Sequence, residues 1–360
     1  MITQSPAEVV TDRLFGAMLQ MWDVASVFLG ARLGYYEALA ELGEANPCQL
    51  AERVSANERY TREWLEQQAA TGLIEVATAT DDDNARTYRL IPGTEPVFTD
   101  GTGEQPILHF VRTTLASILA TPDVITAFRT GKGLPFGHYG EDMMIGQGLG
   151  NRWGFMTDLA TTWIPAMPDI DERLRTKPDA RIADIGFGAG WSSIGFAQAY
   201  PNVRVDGLDL DEASARAAQK NADEAGVGDR VTFMAKDAAD PALSGRYDLA
   251  FAFECVHDMA NPVAVLRAMR NLVGPGGTVL IVDEKVGDTF TAPADDVERF
   301  MYGYSIFHCL PGAMDGENPA GTGTVMRQPI FRRYAADAGY QSVDILPIEN
   351  DFFRFYRLTA

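Results

Sequence analysis

Only four histidines occur in the 360 residues, and one of them, His257, sits in "FAFECVHDMANP", directly after an apolar, strand-like run. An imidazole with a pKa near 6.5 can take a phenol or enol proton close to neutral pH. Asp258 follows it, and Glu284 stands at the end of another apolar run, in "VDEKV". A carboxylate at that place can orient the imidazole, as the acid of a nucleophile–base–acid triad does. The competing readings are a His257 that caps a helix or bonds a carbonyl, and a Glu284 that is solvated or paired with Lys285.

A second constellation surrounds "RIADIGFGAGWSSIGFA", Arg181 to Ala197. Gly186, Gly188 and Gly190 recur at every second position, so the backbone can turn sharply and approach a ligand without a Cβ clash. The spacing is G-x-G-x-G, neither the G-x-G-x-x-G of dinucleotide sites nor a Walker loop. A less charged ligand than a diphosphate is favoured. Asp209 closes "VRVDGLDL", nineteen residues after Gly190, where an acid can accept from both ribose hydroxyls of a nucleoside. Asp237, in "AKDA", can accept from an exocyclic adenine amine. With Asp184 and the three glycines, these acids, their followers Leu210 and Ala238, and Phe253 and Glu254 make up the candidate ligand-binding set. Glu254 either receives a ligand ammonium or serves as a helix N-terminal acid.

These residues need a frame that brings strand ends together. From residue 180 onward, strand-like runs ("RIADIGF", "VRVDGLDL", "VTFMAKD", "YDLAFAFE", "GTVLIVDEK") alternate with helical segments. Such alternation predicts an α/β fold, a doubly wound, mostly parallel sheet covered on both faces. The last runs, "SVDILPIENDFFRFYRLTA", are joined too briefly for a crossover, so an antiparallel C-terminal hairpin ends the sheet. Ligands of such sheets bind outside the carboxyl ends of the strands.

Upstream, residues 11–80 read as helices. In "ASVFLGARLGYYEALAEL", Val27, Leu33, Tyr36, Leu39 and Leu42 form a stripe at helical spacing that predicts burial. "LIEVAT" and "RTYRLIP" flank the acidic turn "DDDNA" as a hairpin, which completes a winged-helix pattern. That motif often binds DNA, yet residues 1–100 hold seven Arg and no Lys against sixteen acids. A duplex reader clusters positive charge instead. The expected organisation is a winged-helix-like region over 1–100, a helical linker and pocket region over 101–170, and a ligand-binding domain over 171–360. "GHYGEDMMIGQGLGNRWGFM" in the middle region is read as loops and helices.

The formal net charge of −20 disfavours nucleic acid and anionic membranes as partners. Cys48, Cys255 and Cys309 form no C-x-x-C pair, which fits a reducing compartment. No leader-like N-terminal pattern is visible, and no uninterrupted apolar run approaches a membrane span. A cytoplasmic location is expected.

Residues 180–285 resemble the class I S-adenosylmethionine-dependent methyltransferases. "ADIGFGAG" is similar to the family's nucleotide-binding motif, opened by Asp184; Asp209 matches its ribose-binding acid and Asp237 its adenine-contacting one. The winged-helix region is similar to the dimerisation domain of plant and bacterial small-molecule O-methyltransferases, and "GTGTVMR" points to an actinobacterial branch. The resemblance implies S-adenosylmethionine as cofactor, a small aromatic or enolic methyl acceptor and a homodimer burying the stripe with Val27, Leu33 and Tyr36. It also maps His257 and Asp258 onto the family's His-Asp pair, with Met259 in place of its tryptophan. Similar C-methyltransferases that bind iron suggest the rival set His257, Asp258 and His308 for iron or zinc, against a cavity-lining His308 and no metal. N- or S-methylation and a ligand-sensing transcription regulator compete with O-methylation as readings of the whole chain.

Overall fold

Ser5 accepts from the Glu8 N–H while Glu8 reaches back to the Ser5 N–H, a reciprocal cap that fixes the start of the first helix. In the computed structural model, which describes residues 4–99, 107–238 and 240–359, this helix, α1, runs Pro6–Leu33. Gly34, with φ 72°, turns the chain straight into α2, Tyr35–Leu42. α3 (Pro47–Val54) and α4 (Glu58–Ala70) follow, each begun by an Asn cap, and β1 (Ile74–Thr78) pairs antiparallel with β2 (Thr87–Leu90). This is the winged-helix order. Its core gathers Tyr35, Tyr36, Leu39, Leu50, Trp64, Leu65 and Tyr88. α1 approaches α4 closely because Gly30 has no side chain: a Cβ there would lie 2.3 Å from the Trp64 ring.

Three expectations for this region need correction. The helical stripe is not continuous: Leu33 and Leu42 are exposed while Val27, Tyr36 and Leu39 are buried, because Leu33 stands six residues after Val27 and Leu42 six after Tyr36, about 120° away round its helix. Val27 and Tyr36 are thus already enclosed by their own unit and offer nothing to a partner. The apolar surface lies instead on the first five turns of α1, where Val10, Leu14, Phe15, Met18, Leu19 and Trp22 are all exposed. Finally, α1 is 28 residues long and apolar enough, by length and composition, to cross a membrane.

The chain divides into two units, Met1–Leu115 and Ala116–Ala360. The boundary expected between residues 100 and 101 lies outside the described residues, and from Ala116 onward the expected middle region belongs to the second unit. There, of the expected loops and helices, "GEDMMIGQGLGNRWGFM" forms a single helix, Gly140–Met156.

The second unit is built on a seven-stranded sheet in the order β5-β4-β3-β6-β7-β9-β8. The strands are β3 (Ala180–Ile185), β4 (Val203–Asp209), β5 (Val231–Ala235), β6 (Tyr247–Phe253), β7 (Val273–Glu284), β8 (Ser342–Ile345) and β9 (Phe353–Thr359). β3 to β7 are parallel; β9 runs antiparallel to β7 and to β8, the expected hairpin. Strands buried on both faces need apolar residues throughout, and all seven residues of β6 are buried. Helices Trp191–Ala199, Glu212–Glu224 and Pro262–Leu272 make the crossovers. Register then does the positioning. Ile185 of β3 stands level with Leu208 of β4 and Ala252 of β6, so Gly186, Asp209 and Phe253 come next at one edge. The order reverses between β3 and β6, the place where such sheets open a crevice.

Candidate active site

The glycine turn leaves β3 at this reversal. Gly186, Gly188 and Gly190 have φ values of 71°, 51° and 82°, a region that side chains rarely adopt. At Gly186 space is also short, since a Cβ would fall 2.9 Å from Cys255 Sγ. At Gly188 a Cβ would meet nothing within 4 Å, so the turn is open on that side. Asp209 braces it: its Oδ2 accepts from the Gly188 N–H at 3.3 Å and its Oδ1 from the Asp211 N–H at 3.0 Å. Burial pushes the Asp209 carboxyl up, against those backbone donors. Leu210 beside it is 80% exposed, an apolar side chain projecting where a flat ligand could rest. Asp237 is exposed after β5, and Ala238 is buried.

Two members of the expected ligand-binding set have their side chains elsewhere. Asp184 is buried, and its Oδ2 accepts from the hydroxyls of Ser192 (2.5 Å) and Ser193 (2.6 Å). It ties the end of β3 to the first turn of the following helix and so shapes the glycine turn from within. Burial raises its carboxyl to about 6 despite the two serines. Phe253 packs into the core, stacked on Trp163 with ring centroids 5.5 Å apart.

Glu254 follows β6 in the left-handed region, with φ 53°. Its Oε2 accepts from Gln147 Nε2 (2.8 Å) and Asn151 Nδ2 (2.5 Å), one turn apart on the helix Gly140–Met156. Burial lifts its pKa to about 7, opposed by the Asn151 hydrogen bond. The carboxylate is therefore fixed by side chains from a helix rather than acting as a helix cap. Sequence reading passed over Gln147 and Asn151; a Gln and an Asn at i, i+4 in a Gly- and Met-rich stretch were the signal for them.

His257 follows in a single 3₁₀ turn, Val256–Asp258, and is 1% exposed. Its Nδ1 lies 2.7 Å from Asp283 Oδ1 and 2.8 Å from Glu284 Oε2, both at the end of neighbouring β7. Glu284 thus meets the imidazole; Lys285 turns away to the Asn350 carbonyl. Asp283 is the acid that sequence reading missed, hidden as one letter of an apolar strand. Asp258, adjacent in sequence, is not the Nδ1 partner. Desolvation would lower the pKa of the imidazole, yet Glu284 and Asp283 hold it well above the usual range. Of the two acids, Glu284 is pushed well up by burial, whereas Asp283, though desolvated, is held down by the imidazole. One Nδ1 proton cannot serve two carboxylates fully, so the three groups titrate together, Glu284 as the acid pushed up and Asp283 as the acid held down. Asp258, raised by burial to about 6, faces the same site.

The rival metal set does not assemble as expected. Among the described residues, the histidine and acid atoms that converge within 4.8 Å belong to His257, Asp283 and Glu284. His308 lies on a π-helical turn, Ser305–Cys309, its ring edge-on to Tyr139 at 4.6 Å. Burial and the nearby imidazolium pull its pKa down to about 4, which keeps it neutral.

Comparison with known proteins finds related domains and the same fold. Residues 182–277 match the family described as a methyltransferase domain, and residues 24–99 the Rv2258c-like winged HTH domain. The ubiquinone biosynthesis O-methyltransferase of Marinobacter nauticus is 32% identical over 114 residues, 31% of this chain and 47% of that protein. The 27-O-demethylrifamycin SV methyltransferase of Amycolatopsis mediterranei is 30% identical over 147 residues, 39% of this chain and 53% of its own. The chain spans about half the length of the curated relatives it matches. The solved mitomycin 7-O-methyltransferase MmcR shares the fold over 98% of both chains, with a TM-score of 0.73 at 18% identity. Human N-acetylserotonin methyltransferase, solved with SAM, shares it over 100% of this chain and 99% of its own, with a TM-score of 0.64 at 18% identity.

Proposed function

We propose, for a chain that carries a class I methyltransferase domain behind a winged-helix domain, that it methylates a hydroxyl of a small aromatic or enolic molecule using S-adenosylmethionine. The observation that carries this reading is the alignment at one sheet edge of the open glycine turn, Asp209 and, one strand over, the His257–Asp283 pair. The residues fit such a cofactor. Asp209 would accept from the ribose hydroxyls, Asp237, Leu210 and Ala238 would surround the adenine, and Glu254 would face the ammonium. When bound, S-adenosylmethionine supplies a methyl carbon already activated by a sulfonium. What remains for the protein is alignment and a deprotonated acceptor.

His257 provides the second. Asp283 fixes the Nδ1 side of the ring, which leaves Nε2 as the atom that takes the acceptor proton. Because the carboxylates hold the imidazole above its ordinary pKa, it is a stronger base than a free His, and its base form is reached on the alkaline side of the usual range. Asp258 adds negative charge beside the imidazolium that forms.

The protein is further read as a homodimer joined through α1. Eight large apolar residues on its first five turns, Val9 and Met21 among them, are left exposed by their own unit, a pattern that a second copy would bury. A membrane suits this helix less well, since Asp23, which accepts from Gln67 of α4, would be carried into hydrocarbon. DNA is disfavoured too: on α4, Arg59 pairs with Glu63, and Glu58 and Glu66 flank it. Calorimetry with S-adenosylmethionine tests the central claim, and Asp209→Ala should weaken binding by about 10–100-fold. Absence of binding by the unaltered protein would overturn the proposal; unchanged affinity in the variant would remove Asp209 from the site.

A further inference from the structure

Two loops and a π-helical turn are stitched over the strand ends that carry His257. The Gly323 N–H donates to the His257 carbonyl at 2.9 Å, and the Ala320 N–H to that of Ala260 at 2.8 Å. The Leu134 N–H donates to the Pro311 carbonyl at 2.9 Å, which brings the segment before the 3₁₀ turn Phe136–Tyr139 against the end of the π-helical turn. A π-turn widens the helix by one residue and lets Ser305, His308 and Cys309 all face inward. Tyr139 and His308 meet there edge to face, with Phe136 also edge-on to His308 at 5.7 Å.

This layer holds something unusual. Tyr139 is 7% exposed, and among the described residues its phenol oxygen has no hydrogen-bond partner; Thr324, 2% exposed and one residue beyond Gly323, has an unpartnered hydroxyl there as well. Buried hydroxyls are nearly always paired, because an unmade bond forfeits their hydration. Met143, Leu134, Phe136 and Phe307 share the apolar cluster of Tyr139, with the His138 ring edge-on at 6.0 Å.

We propose that Tyr139 Oη and the His308 imidazole recognise the methyl acceptor by a second oxygen function, a ring carbonyl or hydroxyl beside the hydroxyl that is methylated. This rests on the methyl-transfer reading above. An apolar, aromatic wall accepts a planar ring, and an enclosed hydroxyl donor selects an oxygen on its edge. His308 Nδ1 lies 3.4 Å from Cys309 Sγ, so the other ring nitrogen of the neutral imidazole is the one that meets the ligand, as donor to a carbonyl or acceptor from a hydroxyl according to the tautomer. Such a pair rejects a ring that lacks the second oxygen, since the buried donor then stays unpaired.

Tyr139→Phe deletes only the hydroxyl and tests this in two ways. First, the ligand-free variant should melt within about 2 °C of the unaltered protein or above it, because no internal hydrogen bond is lost. A clear drop in melting temperature would mean the hydroxyl is structural and would overturn the assignment. Second, protein loaded with S-adenosylhomocysteine is titrated with 2-hydroxyacetophenone and with 2-ethylphenol, which has a similar shape without the carbonyl. The unaltered protein should prefer the ketone by about ten-fold or more, and Tyr139→Phe should lose that preference. Equal affinities in the unaltered protein, a preference kept by the variant, or binding of neither probe would overturn it. Binding of S-adenosylhomocysteine itself, measured in the same samples, should be unchanged by the substitution. Its absence from the unaltered protein would count against methyl transfer, while the melting comparison would still judge Tyr139.

Discussion

Replacing Asp283 with Asn should move the pH dependence of the reaction toward acid, by an amount the geometry sets. Asp283 Oδ1 stands 2.7 Å from His257 Nδ1 and also accepts from the Glu284 N–H. Asn keeps the shape and the acceptor oxygen but removes the charge. A hydrogen bond to a charged group contributes about 1.5–3 kcal/mol, and one pKa unit corresponds to about 1.4 kcal/mol, so His257 should drop by about one to two units. The sign follows from the raised folded-state pKa: losing the partner that favours imidazolium lowers it, and the base form appears at lower pH. The acid limb of kcat/KM against pH should shift down accordingly. The plateau should fall about 10²–10⁴-fold, because the ring is less well held and the base is weaker. Glu284 complicates the single variant. Relieved of its charged neighbour, that acid, pushed up by burial, can ionise more readily at 2.8 Å from the same Nδ1 and restore part of the effect. The shift should therefore be larger in Asp283→Asn/Glu284→Gln than the sum of the two single shifts. Rate profiles of the four proteins, with the His257 ring signal followed by NMR, measure all of this. An acid limb that stays in place in the double variant, or moves toward higher pH, would refute the cluster as the control of His257.

Two further outcomes follow from the same structure. Light scattering should give twice the 39.3 kDa chain mass, and Leu14→Glu/Phe15→Glu, which charges the exposed face of α1, should yield monomers; a dimer that survives would place the interface elsewhere. For Glu254, whose raised pKa lies at about 7, affinity for S-adenosylmethionine should rise as pH climbs through that value, because the ionised carboxylate attracts the ammonium. Glu254→Gln should bind more weakly at pH 8 and lose the pH dependence, and a variant that keeps the slope would show that another group sets it.

The sheet was legible because its strands are short apolar runs closed by Gly, Asp or Glu, and strand ends are where this fold places function. Gly186, Asp209 and Glu284 could be placed at strand ends on that rule alone. What was hidden depends on contacts across long sequence distances. Asp283 reads as one polar letter in "VLIVDE", and only the pairing of β6 with β7 brings it to His257. Gln147 and Asn151 stand more than a hundred residues from the carboxylate they hold. Asp184 shows the reverse error: a residue in the right motif whose carboxylate faces inward, to two serines just beyond the glycines. In the first unit, the spacing itself explains the failure of the stripe. Leu33 and Leu42 each follow a buried residue by six positions, about 120° round the helix, so they leave the face that Val27 and Tyr36 bury.

The left-handed backbone at Glu254 carries a consequence for anyone who evolves this protein toward heat resistance. A non-glycine residue there costs about 1–2 kcal/mol relative to a relaxed conformation, and Gly or Asn would relieve it. Selection on melting temperature alone would drift toward those residues, freeing Gln147 and Asn151 and leaving the corner without the carboxylate they clamp. A library screened for thermal survival should thus return position 254 as a hot spot of apparent improvement whose variants have given up the clamped carboxylate. Fixing residue 254 before randomising the rest is the practical lesson.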